Sequence, residues 1–210
     1  CGYTQADIER DFVEWLDGVN MDQLKKWYNG YNFLGEKVYN PFDVLLYLKN
    51  RQLKNYWFET GTPDFLVTLM KESQFSLPEL ESFYSTDDLM NKFDANNLVI
   101  EGFFFQTGYL TIKERFNALN GLEKYRLGFP NLEVQHSLSS LFLSTCSPTR
   151  FNHHLQQQIV KGILEGNPTL FEAPLRQFFS SIPFDWYKFS GMEKYEGYWS
   201  SLIYSVFAMV

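Results

Sequence analysis

The sequence predicts a mainly α fold with a small β-hairpin in the middle. Helix-start grammar recurs along both flanks of the chain. Apolar residues repeat at helical spacing behind those starts. In the centre the period shortens to that of strands.

The elements follow in order. In YTQADIERDFVEWL, Thr4 stands three residues before Asp7, and Ile8, Phe12 and Trp15 follow at helical spacing. In NMDQLKKWYNGY, Asn20 and Gln23 resemble a capping box, and Asn29-Gly30 is read as the helix stop. YNPFDVLLYLKN and GTPDFLVTLMKES share one pattern. Asn40 or Thr62 caps, Pro41 or Pro63 takes the first helical position, and Asp43 or Asp64 follows in the first turn, where the helix dipole favours an acid. Their apolar faces read as Phe42, Leu45 and Leu46, and as Phe65, Leu66, Leu69 and Met70. TDDLMNKF reads as a further short helix. FQTGYLTIKE and EKYRLGF then read as the two strands, with Tyr109, Leu110, Ile112 and Tyr125, Leu127, Phe129 around a loose Asn120-Gly121 loop.

PNLEVQHSLSSLFLS returns to helical spacing at Val134, Leu138, Leu141 and Phe142. A short helix, a two-stranded wing and a flanking helix together suggest a winged-helix-like unit. Residues 150–165, with Leu155, Ile159, Ile163 and Leu164, and residues 168–181, with Phe171, Leu175, Phe178 and Phe179, form two helices joined at Gly166-Asn167-Pro168. So short a joint lays them side by side in opposite directions. SIPFDWYKFSGM is a connector, and a last helix starts near Met192. No internal repeat or low-complexity segment is present.

Composition bounds the function. The chain has 21 Phe, 13 Tyr and 5 Trp, enough aromatic volume for a sizeable core. Its formal net charge of −7 makes it a poor general nucleic-acid binder, which needs a basic footprint. Cys1 and Cys146 have no metal-site or disulfide spacing, so the expectation is a reduced, cytoplasmic protein. There is no leader-like segment and no apolar run long enough for a bilayer. Cys1 is not a natural start, and the chain stops on Val210 inside the apolar run of KYEGYWSSLIYSVFAMV, with no helix-ending signal. Both ends suggest a piece of a larger protein.

Five phrases occur in one order: WYNGYNF, VYNPFDVLLYL, YWFETGTPDFLVTLM, FFQTGYLTIK and YRLGFPNLEV. Together they resemble the bacterial AAA-ATPase-like family whose members carry a PD-(D/E)XK nuclease-superfamily domain at the C-terminus. The resemblance covers nearly the whole chain. It implies four segments. Residues 1–86 would be the helical C-terminal part of the ATPase-like region, and 87–148 the winged-helix-like unit. Residues 149–190 would be a helical hairpin and connector, and 191–210 the start of the nuclease-like domain. ATP and Mg²⁺ are then implied for the parent protein and no cofactor for this chain. A phosphate-cradling Gly-x-x-x-x-Gly-Lys-Ser/Thr is absent from it, and Gly35-Glu36-Lys37 lacks both the following hydroxyl and the preceding glycine. The partners implied are the upstream nucleotide-binding core and the downstream nuclease-like domain.

The resemblance also supplies candidate sites. Glu196 matches the Glu on the first helix of the nuclease-like domain, whose Asp and Glu-x-Lys would follow Val210. One carboxylate builds no metal site, so within this chain a first-turn surface Glu is the preferred reading. Tyr195, Trp199, Leu202, Ile203, Val206 and Phe207 would pack on the sheet that follows, and without it that face favours self-association. From the residues themselves, Lys113, Arg115, Lys124 and Arg126 cluster on the wing and are candidate nucleic-acid contacts, although Glu114 and Glu123 interleave them. His153 and His154 are neighbours pointing about 100° apart on a helix and cannot easily share a metal; His136 reads as structural. YNGYNF and YNP are satisfied by capping chemistry, and Glu59 has no assigned role.

The function expected is a non-catalytic lid and winged-helix-like arm, coupling nucleotide state to nucleic-acid processing in the parent. The alternative is a helical module that binds protein or carbohydrate through exposed aromatics, with a degenerate nuclease-like tail. Residues beyond Val210 discriminate the two.

Overall fold

The computed structural model describes residues 2–59, 66, 76–86, 100–118, 121–146, 153–182 and 196–208. The expected helices at TDDLMNKF and GTPDFLVTLMKES, apart from Thr86 and the buried, helical Leu66, lie outside these residues, as do most of the SIPFDWYKFSGM connector and the start near Met192. The fold is mainly α with two small antiparallel sheets. Two compact units are present. One comprises Cys1–Thr62 with Glu79–Ser137, the other Pro63–Pro78 with Leu138–Val210.

The first unit opens with α1 (Gln5–Asp11), closed at its start by a reciprocal capping box between Thr4 and Asp7. The helix ends four residues before Trp15, which lies in a 3₁₀ turn (Val13–Trp15) and is 53% exposed. Ile8 alone of the expected stripe is fully buried. α2 (Met21–Tyr28) is capped by Asn20, whose Oδ1 accepts the Gln23 N–H at 3.1 Å. The expected Gly stop is replaced by a strand, β1 (Asn29–Tyr31), which pairs with β2 (Val38–Tyr39). Gly30 is still required. It has φ +120°, and a Cβ there would collide with the Pro130 carbonyl oxygen.

α3 (Pro41–Asn50) starts as expected, with Asn40 accepting the Phe42 N–H at 3.0 Å and Pro41 in the first turn. Its buried face differs. Asp43, Val44, Tyr47 and Leu48 point inward, while Phe42 and Leu45 are exposed. Tyr28, Tyr47 and Tyr56 pack their rings together in this core, Tyr56 from the short α4 (Tyr56–Glu59).

The wing has three strands. β3 (Phe83–Thr86), β4 (Thr111–Asn117) and β5 (Glu123–Gly128) lie in the order β3-β5-β4, all antiparallel. Two short helices, α5 (Leu77–Leu80) and α6 (Ile100–Gln106), precede β3 and β4. The expected hairpin is thus present, its turn carried by Gly121 at φ +78°, and β3 adds a strand that periodicity did not reveal. β4 is stitched to the β1 loop. Asn32 N–H donates to Thr111 Oγ1 at 2.6 Å, and Ile112 N–H to Asn32 O at 3.3 Å. α7 (Leu132–Cys146) follows, capped by Asn131, whose Oδ1 accepts the Val134 N–H at 3.1 Å.

In the second unit α8 (His153–Leu164) and α9 (Pro168–Ser180) form the expected helical hairpin. Gly166 at φ +61° turns the chain and Asn167 caps α9. In the last helix, α10 (Glu196–Ala208), the expected apolar face is divided. Tyr198, Ser201, Leu202, Ser205 and Val206 are buried, while Ile203 and Phe207 remain exposed. Ser201 Oγ accepts the buried Leu77 N–H at 2.8 Å, and Tyr198 packs its ring on Phe142. Ser201 and Ser205 are small, which lets the helix backbone come close on that face.

Candidate functional site

Strand register decides where the wing's cations go. Glu114 pairs with Arg126, and Arg115 with Tyr125, so side-chain alternation puts Arg126 and Lys124 on one face and Arg115 on the other. Arg115 forms an ion pair with Glu123, which also accepts the Tyr125 hydroxyl at 2.5 Å. Those contacts hold the Glu123 carboxyl below its usual range. Arg126 Nε meets Glu114 at 3.2 Å in a partly exposed pair. Lys124 stands opposite Phe116 and Thr86. The four predicted contacts therefore do not form one patch.

Two of them do meet. A register shift between Ile112 and Glu114 leaves Lys113 out of the paired ladder, and it lines a pocket of about 440 Å³ together with Arg126. Lys26 from α2 and Glu81 complete the charged wall, while Phe129, Pro130 and Leu132 close it. Lys113 Nζ donates to Pro130 O at 3.3 Å. Its pKa is pulled down to about 8, first by burial and then by Lys37 and Arg126, with Glu81 opposing.

The same unit holds a buried polar cluster. Asp43 and Glu133 are both fully buried, on α3 and in the first turn of α7. Glu133 Oε1 accepts the Trp57 N–H at 2.8 Å. The Asp43 carboxyl lies beside the Glu133 side chain and the Trp57 backbone. Burial raises Asp43 to about 6, a shift that Glu133 and Trp57 only temper. The Tyr31 hydroxyl is buried near the Asn40 and Asn131 side chains and is pushed upward by desolvation. A groove of about 320 Å³ beside it is lined by Tyr31, Phe33, Tyr39 and Trp57, among others.

The remaining candidates are apart from these. Glu196 is exposed at the start of α10 in the other unit. His154 is exposed on α8, and the His153 side chain lies outside the described residues. His136 packs edge-on against Trp27 with its ring centroid 5.2 Å away, and burial lowers its pKa. No group of three or more His, Cys, Asp or Glu side chains able to hold a metal occurs among the described residues, and no helix there is long and apolar enough to cross a membrane.

Sequence reasoning missed Asp43, Glu133 and Lys26. The first two stand in the sequence as Asn-Pro-Phe-Asp and Asn-Leu-Glu, each an Asn cap with an acid close behind. That signal is shared with ordinary surface helix starts.

No protein-family model matches the chain, and no solved structure matches it. The chain is 42% identical over 213 aligned residues to an Azotobacter chroococcum mcd 1 protein described as uncharacterised, in the vnfD 5′ region. The alignment covers 99% of this chain and 40% of that relative, so the chain spans about two fifths of the relative's length.

Proposed function

We propose that the chain is the non-catalytic lid and winged-helix-like arm of an ATPase-like protein. It would couple nucleotide state to nucleic-acid processing in a parent that also carries a PD-(D/E)XK nuclease-like domain. The observation that supports this best is the β3-β5-β4 sheet, whose β4-β5 hairpin follows α6 and precedes α7 in the chain, with Lys124 and Arg126 on one face. Such a sheet edge lays cations along a phosphate backbone without reading bases. Nucleotide and Mg²⁺ belong to the upstream core in this reading, and Glu196 to a metal site completed by the nuclease-like domain.

The test is duplex-DNA binding across a salt series. Weak, salt-sensitive binding is expected, and changing Lys124 and Arg126 together to Ala should flatten the salt slope by about two, roughly one for each phosphate no longer neutralised. Absence of binding at low salt would sink the arm reading. The second reading, a protein- or carbohydrate-binding module, would then gain, because the groove at Tyr31, Phe33, Tyr39 and Trp57 supplies an aromatic surface for it.

A further inference from the structure

Lys113 is placed by two glycines and left among cations. Its stem crosses Gly128, where a Cβ would stand 3.2 Å from Lys113 Cγ and 2.6 Å from Glu81 O. Its ammonium rests on the Pro130 carbonyl, and that carbonyl is itself approached by Gly30 too closely for any side chain. The backbone thus holds the lysine in one place. A lysine drawn away from water ordinarily meets a carboxylate. Here the hydrogen bond of the ammonium goes to a neutral carbonyl instead. Arg126 shares its pocket, Lys26 stands on the same wall, and Lys37 lies near enough to depress its protonation. Glu81 is the one acid on that wall among the described residues. Arg126 is only loosely committed, because its partly exposed pair with Glu114 is of a kind worth little in water. Glu133, the acid in the first turn of α7, is not on the wall and receives the Trp57 amide instead.

Mutual repulsion among these cations falls when an anion enters. The pocket is walled by Phe129, Pro130 and Leu132 and holds about 440 Å³, ample room for a phosphoryl group. We propose that this pocket is a binding site for a dianionic phosphoryl group, with Lys113, Lys26 and Arg126 as its donors. A small phosphate compound and the 5′ end of a nucleic acid present the same chemistry there. The inference does not depend on the DNA-arm reading, since it concerns a single phosphoryl group and residues other than Lys124.

The experiment is calorimetric titration of the 210-residue chain with sulfate and with inorganic phosphate. Saturable binding of both is expected. Lys113→Gln and Lys26→Gln should each weaken it by about tenfold, the scale of one charge-assisted hydrogen bond, and Lys161→Gln should leave it unchanged. Sulfate keeps its charge across neutral and mildly alkaline pH, so its affinity should fall as pH rises through about 8, where Lys113 loses its proton. Equal affinity in Lys26→Gln would contradict the proposal, even if Lys113→Gln failed to fold. No saturable binding of either anion would end it. A 5′-phosphorylated single-stranded oligonucleotide is then compared with its 5′-hydroxyl twin. Tighter binding of the first assigns the pocket to nucleic-acid ends, and equal binding beside retained phosphate affinity assigns it to small phosphate compounds. If duplex DNA binds and phosphate does not, the arm reading survives and the pocket does not; the reverse result separates them the other way.

Discussion

Asp43 shows how one residue can sit in a conventional position and do something else. Position three of a helix is where an acid offsets the dipole. In this chain the carboxyl is fully buried beside a second acid, and desolvation raises its pKa from 3.8 to about 6. Between those values the folded chain holds the proton and the unfolded chain releases it. The contribution of Asp43 to stability is therefore largest below about pH 4 and declines as pH rises to about 6. Asp43→Asn should remove this slope, so that urea melts of the variant change less between pH 4 and 7 than those of the parent sequence. Parallel stability curves for the two chains would show that Asp43 ionises freely.

Among the elements, α10 separates two descriptions of the C-terminal helix. If its apolar face waited for a sheet beyond Val210, Leu202 and Ile203 would matter alike. Instead Leu202 is fully buried within its own unit and Ile203 is 46% exposed. Leu202→Ala should cost about 2–5 kcal/mol in a chemical melt, the range for a buried leucine. Ile203→Ala should stay within about 0.5 kcal/mol, as exposed positions do. Comparable losses at both positions would restore the orphaned-face description. Ser201 and Ser205 explain the difference, because a helix face of small residues packs closely although it scores as polar.

For the whole molecule, the resemblance predicts what the chain lacks. It has no phosphate-cradling loop in its sequence, and Glu196 belongs to no group of three or more potential metal ligands among the described residues. Purified chain should not turn over ATP with Mg²⁺, and should not cut plasmid DNA with Mg²⁺ or Mn²⁺. Phosphate release above background, or cleavage abolished by Glu196→Ala, would place a complete site inside these residues. The two compact units also bear on how the protein is divided. The wing sheet belongs with the first helices through the Asn32–Thr111 hydrogen bonds, so a cut at residue 86 would sever one unit.

Local chemistry was legible from the sequence alone. Thr4, Asn20 and Asn40 cap the helices they precede, and the hairpin turns at Gly121, because each depends on residues within one turn of itself. What needed tertiary structure was every choice between nearly equal faces. α3 carries apolar residues almost all round, so periodicity could not say that Asp43 points inward and Phe42 outward. β3 is held by its pairing with β5, about forty residues away, and has no alternating pattern of its own. The basic pocket joins Lys26, Lys113 and Arg126 from three separate elements. It exists only because Gly30 and Gly128 let two backbone segments come closer than a side chain allows. Such an approach is a property of chain crossings, and no short stretch of sequence contains it.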